Sequence, residues 1–256
     1  MELWSQNHVK TLLPSFIIMI ILGVVLRIFL GKKSEKIRMI PFQICTVFLL
    51  ILEVIKQVKS FVDGYDLYHI PLHFCSLFLY VLPAMAFYSG KHKDKVRAIT
   101  TTVCASLFLL MTIYPSVIYS GDAIAGTFKN FWDFHTTVFH TVATFTFVLI
   151  VCLDLYKPNL KKDLLAILVF FAIYCVIAGV TSQILETNFN NFYHCNVPPL
   201  ENLRVSLQEP LGYGVAQTLY VIVVSIVNLI FVNLSYQLFR LLNFLTLKIE
   251  KAFNKK

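Results

Sequence analysis

Charged residues are scarce in this chain of 256 residues: Asp, Glu, Lys and Arg make up 14% of it, against 57% hydrophobic residues and a mean hydropathy of +0.72. That balance excludes an ordinary soluble domain, a disordered segment and a disulfide-knotted secreted module. Internal repeats and low-complexity tracts are missing too. No small-x-small cleavage site follows the first apolar stretch, which is too long for a signal peptide and is expected to stay as a helix. The six cysteines (Cys45, Cys75, Cys104, Cys152, Cys175 and Cys195) fall mostly inside apolar runs, where a thiol behaves as a small hydrophobe. No disulfide framework is implied, and no cofactor is expected.

What the sequence has in abundance is apolar runs of membrane length. A hydrocarbon core of ~30 Å needs about 20 apolar residues per helix. Seven runs qualify, at Thr11–Leu30, Met39–Val58, Ile70–Tyr88, Ala98–Tyr119, Phe134–Leu155, Leu164–Ile184 and Tyr213–Phe231. The expectation is an all-α, polytopic, seven-helix membrane protein of the cell membrane. The segments after the first, third, fifth and seventh spans hold sixteen Lys and Arg, whereas the other face has only Lys10, Lys59, Lys129 and Arg204. The excess of cations on the cytoplasmic side places the N-terminus outside and the C-terminus inside. The net charge of +8 therefore belongs with anionic lipid, and nucleic acid is not an expected partner.

The transmembrane domain is expected over residues 1–232. From Asn233 to residue 256 the pattern changes: Leu234, Leu238, Leu241, Leu242, Leu245, Ile249 and Phe253 recur at helical spacing, with Arg240, Lys248, Lys251 and Lys255 between them. Such a basic amphipathic segment suits anionic lipid of the inner leaflet, or else extends the seventh span. The longest stretch that is not apolar, from about Leu185 to Gly212, is a connector or a lid.

Polar groups at membrane depth mark function, because lipid rejects them unless they face the bundle interior. Gln43, Thr46, Glu53 and Gln57 form one stripe of the second span, and Asp133, Thr137, His140, Thr141 and Thr144 form another on the fifth. On a helical third span, His69, His73, Ser76 and Tyr80 would share a face. At 1.5 Å per residue, Glu53, His73 and His140 all fall on the order of 5–13 Å below the outer surface. They are expected to meet in one polar chamber, faced by a loop carrying Thr187, Asn188, Asn190, Asn191, Tyr193 and His194. Five of the seven histidines (His69, His73, His135, His140 and His194) fall on that side. Glu53 with Lys56 reads equally as a structural ion pair. His69 and His73 at i, i+4 also have the spacing of a metal-binding pair, although no metal is expected.

The segments Ile70-Pro71-Leu72-His73-Phe74-Cys75-Ser76, Phe134-His135-Thr136-Thr137-Val138-Phe139-His140 and Thr187-Asn188-Phe189 resemble the YwaF-like family of bacterial integral membrane proteins. Glu186 stands where that resemblance places a glycine. The family is similar to a eukaryotic transmembrane acyltransferase group that acts on phospholipid through a cysteine, so the resemblance implies an acyltransferase or acyl hydrolase working on membrane lipid near the outer leaflet. Acyl transfer needs a nucleophile, a base and donors for the oxyanion. Cys75 is the candidate nucleophile. His73, two residues away, would point elsewhere on a helix, so His140 is the candidate base, with Glu53 or Asn188 orienting and His69 and His135 in contact with substrate. His73 acting on the hydroxyl of Thr137 or Thr141 is the other arrangement. The competing class is a transporter or binding protein for a small polar solute or protons, against which stands the absence of repeated halves and paired interrupted helices.

Overall fold

The computed structural model describes residues 3–196 and 198–253, with the side chains of residues 247 and 249–253 left out. The expectations placed on Ile249, Lys251, Phe253, Lys255 and Lys256 lie outside the described part. Apolar runs become helices because lipid leaves the backbone no partner but itself. In chain order the helices are α1 (Gln6–Leu30), α2 (Glu35–Val62), α3 (Phe78–Phe87), α4 (Lys93–Ile113), α5 (Gly121–Ala125), α6 (Phe131–Cys152), α7 (Leu160–Ile184), α8 (Pro198–Ser206), α9 (Gln208–Leu211) and α10 (Tyr213–Phe253). There is no strand among the described residues. The protein is an all-α polytopic membrane protein, in which α1, α2, α4, α6, α7 and α10 are long and apolar enough to cross a bilayer.

α4 and α6 form the middle of the bundle. α3, α7 and α10 pack on α4, while α1 and α2 pack on α6. The stripe foreseen on α2 faces inward: Thr46 and Glu53 are buried, and Gln43 donates from Nε2 to the Ala86 carbonyl of α3 at 2.9 Å. α1 begins with a reciprocal cap, in which Ser5 accepts from the His8 amide and His8 Nδ1 accepts from the Ser5 amide. The other nitrogen of His8 donates to the Tyr119 carbonyl at 3.0 Å, so this histidine is structural.

The basic connections gather at one end. There Arg27 and Arg38 reach past α1 and α2 to the last turn of α6, donating to the Cys152 and Leu153 carbonyls at 2.6 Å each. These carbonyls have no partner within their own helix, and cations favour that end of the helix dipole. α1 itself seats on α6 through Gly23. A Cβ there would lie 2.7 Å from Val148 Cγ1 and 2.9 Å from Cys152 Sγ. Gly23→Val is expected to destabilise the fold by about 1–3 kcal/mol through overpacking. The check is the thermal midpoint in detergent, which an unconstrained helix contact would leave unchanged.

The third span departs from the expected one. The apolar run from Ile70 to Tyr88 yields only ten helical residues, and the half toward the other end of the bundle is an irregular segment with 3-10 turns at Leu67–His69 and Phe74–Leu77. Pro71 explains the break: it biases Ile70 away from the helical region, where Ile70 indeed has ψ of 130°, and it has no amide to donate. Non-helical backbone survives at this depth only where protein satisfies it. Here Gln57 Nε2 donates to the His69 carbonyl at 2.9 Å, and Tyr174 donates from its hydroxyl to the Leu72 carbonyl at 3.1 Å. His69, His73, Ser76 and Tyr80 therefore do not share a helical face, and the helical-wheel separation of His73 from Cys75 does not apply.

At the far terminus, α10 runs without a break through Asn233, so the basic segment extends the helix that begins at Tyr213.

Candidate functional site

A helix that stops halfway leaves room, and the room is a cavity of about 440 Å³. Its wall is drawn from α2 (Glu53, Lys56), the irregular segment (Tyr68, His69, His73, Cys75), α6 (His135, Thr136, Phe139, His140) and the loop after α7 (Asn188, Asn190, Asn191). All seven side chains expected at a site, namely Glu53, His69, His73, Cys75, His135, His140 and Asn188, line this one space. His194 does not line it. Neither do Thr137, bonded to the Thr127 hydroxyl at 3.0 Å, and Thr141.

The acidic corner is built by one face of α2. Glu53 Oε1 accepts from Lys56 Nζ at 3.0 Å and from Gln57 Nε2 at 2.8 Å. Its Oε2 faces His135 Nε2 at 3.4 Å, within ion-pair distance for a protonated ring, but that buried nitrogen makes no hydrogen bond. A buried donor or acceptor left unpaired costs about 1–3 kcal/mol, and a polar guest in the chamber would relieve it. His69 bonds Ser60 through Nδ1 and stacks on Trp132 at 4.7 Å between ring centroids.

The two deeper imidazoles are fixed in opposite tautomers by backbone carbonyls, which can only accept. His73 bonds the Tyr68 carbonyl through Nε2 at 3.0 Å, leaving Nδ1 as its free nitrogen. His140 bonds the Thr136 carbonyl through Nδ1 at 2.7 Å, leaving Nε2 with the lone pair. The latter is the arrangement of a general base. Cys75, a free thiol, stands in the 3-10 turn one residue beyond Phe74 and shares the wall with both. Among the described residues no group of three or more His, Cys, Asp or Glu is placed to hold a metal ion.

The loop between α7 and α8 is a wall of the site. Phe189 and Phe192 are fully buried. Side chains from both neighbouring helices hold the backbone: Gln183 donates to the Phe192 carbonyl at 2.8 Å, Gln217 to Tyr193 at 2.9 Å and Tyr220 to Asn191 at 2.5 Å. Asn188 Oδ1 accepts from the Tyr193 and His194 amides, which turns its NH₂ the other way as a donor. Glu186, Asn190 and Asn191 hold φ of 50°, 51° and 62°. Asparagine tolerates that region; glutamate does not, and glycine adopts it freely. Glu186→Gly is expected to raise stability by about 0.5–1 kcal/mol, seen as a higher unfolding midpoint.

Sequence reasoning missed Trp132, Ser60, Gln217 and Tyr220, and also Asn228 of α10, whose Oδ1 accepts from Asn190 Nδ2 at 3.0 Å. For Gln217 and Asn228 the signal was present, since both are polar groups inside an apolar span, the criterion that found Glu53 and His140.

No curated protein and no solved structure matches the chain. Residues 3–236 are matched by the family model of the TMEM164 family, so nearly the whole chain takes part in the likeness, and the protein belongs to that family.

Proposed function

We propose that this membrane protein is an acyltransferase or acyl hydrolase of phospholipid, with its chamber opening at the outer leaflet of the cell membrane. The orientation follows from the cation-rich connections being cytoplasmic, which leaves the opposite, hollow end outside. The observation that carries the reading is the convergence of a thiol and a correctly tautomerised imidazole on one cavity wall. The resemblance of the three quoted segments to the YwaF-like proteins, and through them to a eukaryotic transmembrane acyltransferase group, supports it.

In this reading His140 Nε2 takes the Cys75 thiol proton, and Sγ attacks the ester carbonyl of a phospholipid. The ester C–O bond then breaks, and the lysophospholipid oxygen leaves with the proton from His140. The acyl group on Cys75 passes to water or to an acceptor hydroxyl, whose proton returns through His140. Asn188 supplies amide donors for the oxyanion. Glu53 with His135, and His69, contact the polar part of the lipid. Anionic lipid of the inner leaflet faces Arg240 and Lys248 on the extension of α10.

The test uses purified protein in phospholipid vesicles with a labelled acyl chain. Transfer or release of the label is expected, and Cys75→Ala is expected to lower its rate about 10³-fold or more. Flux of a small polar solute or of protons, with every lipid left covalently unchanged, would instead establish the transporter reading.

A further inference from the structure

Beside the polar chamber lies a second space, of about 480 Å³, whose wall is mostly apolar, with Asn190, Asn191, Arg204 and Asn228 among its polar members. The two adjoin: Phe74, Leu110, Val117, Asn190 and Asn191 belong to both walls. From that junction the second space follows one face of α10, where Leu219, Val223 and Val227 recur every four residues. Its wall on this helix extends from Ala216 to Phe231, roughly 22 Å at 1.5 Å per residue. Across it stand Leu200, Leu203 and Leu207, more than a third exposed although they form a wall.

That wall is held in place. Arg204 grips Glu201 with two bonds of 2.8 and 2.6 Å and donates a third, from Nη1, to Gln217 of α10 at 2.8 Å. Glu201 also accepts from the Cys195 amide at 2.8 Å. Its carboxyl is held down to about 2, first by the Arg204 hydrogen bond. Because that pKa lies below the unfolded one, the contribution of the latch is present above about pH 4.5 and is lost as pH falls toward 2.

We propose that this groove holds one linear hydrocarbon chain of a membrane lipid whose polar end sits in the histidine chamber. Single apolar side chains facing lipid are ordinary on a membrane helix; a walled, mostly apolar groove that shares five wall residues with a polar cavity is not. A polar solute finds few free partners along it, because Asn190 is bonded to Asn228 at 3.0 Å and Arg204 to Glu201 and Gln217. A helix from a second copy, with a diameter of about 10–12 Å, would need on the order of 1,700 Å³ over the same length. A single chain fits, held by packing against the wall, since a tail within the bilayer is already out of water. The groove starts at the chamber near one end of the bundle and runs toward the middle of the bilayer, as a lipid tail does below its ester. The inference rests on the lipid reading of the chamber, but it requires no covalent step.

The experiment is photo-labelling of the full chain in vesicles that contain a phospholipid with a diazirine on one acyl chain, followed by peptide mapping. Adducts on Leu219, Val223 and Val227 are expected to exceed those on the neighbouring lipid-facing positions Ile222 and Ile226 at least tenfold. Val227→Trp is expected to reduce the groove adducts at least tenfold, whereas Ile226→Trp leaves them unchanged. Equal labelling around α10, or labelling indifferent to Val227→Trp, means ordinary boundary lipid and overturns the proposal. Groove labelling by a protein without acyl chemistry upholds the groove and removes the catalytic reading; acyl chemistry with unselective labelling does the reverse. Labelling of the wild-type chain decides the matter even if the tryptophan variant does not fold.

Discussion

Replacing His140 with alanine is expected to slow acyl transfer or release from labelled phospholipid by about 10²–10⁴-fold, the usual worth of a positioned general base. The expectation rests on the 2.7 Å bond between Nδ1 and the Thr136 carbonyl, which spends the ring's one proton on the backbone and leaves Nε2 as the acceptor. His140 is also 8% exposed, so truncation opens a void, and a lost rate alone would not separate chemistry from packing. His140→Asn separates them. It keeps much of the volume and its amide can still donate to the same carbonyl, but it cannot take a proton. The asparagine variant is expected to unfold near the wild-type midpoint and remain as slow as the alanine variant. A His140→Asn protein with the full rate would remove His140 from the reaction.

The second large effect is structural. Phe192→Ala is expected to cost about 3–5 kcal/mol, the range for a fully buried aromatic side chain. Phe192 is 0% exposed, and its neighbourhood is tight: a Cβ on Gly179 would lie 3.6 Å from its ring and 3.0 Å from Val221 Cγ1. With the ring gone, the donors Gln183 and Gln217 would have to hold the loop by themselves, and each hydrogen bond contributes only about 1 kcal/mol net. The measurement is chemical or thermal unfolding in detergent, with protease sensitivity between residues 185 and 197 as a local readout. A loop that merely connects α7 to α8 would tolerate the change within about 0.5 kcal/mol.

The long helices were legible because lipid length is a severe filter: α1, α2, α4, α6 and α7 each contain, or overlap by most of their length, the apolar run that announced them. The inward stripe of α2 was legible for the same reason. The third span was not, because hydropathy counts apolar residues and is blind to where their amides and carbonyls find partners. Pro71 carried the warning, but the compensating donors, Gln57 and Tyr174, come from other helices and become partners only once the chain has folded. The convergence of the seven site residues followed from depth alone, since side chains at one level of neighbouring helices have few other places to go. Which nitrogen of each histidine is free could not be read that way, because tautomers are set by carbonyls whose positions depend on local backbone geometry. The loop after α7 misleads by its polar composition: Phe189 and Phe192, three residues apart, anchor it, and two apolar residues are too few to register as a pattern.

The reach of Arg27 and Arg38 across to the final carbonyls of α6 gives the bundle a stiff base beneath a hollow crown. Two guanidinium groups tie three helices together there, while at the other extremity the shortened α3 leaves a chamber walled by α2, α6 and the loop after α7. Any widening that admits a bulky guest is therefore least costly as a splaying of the crown, with the arginine knot as its fulcrum. Small rotations about that knot, multiplied by the length of a helix, become ångströms at the mouth.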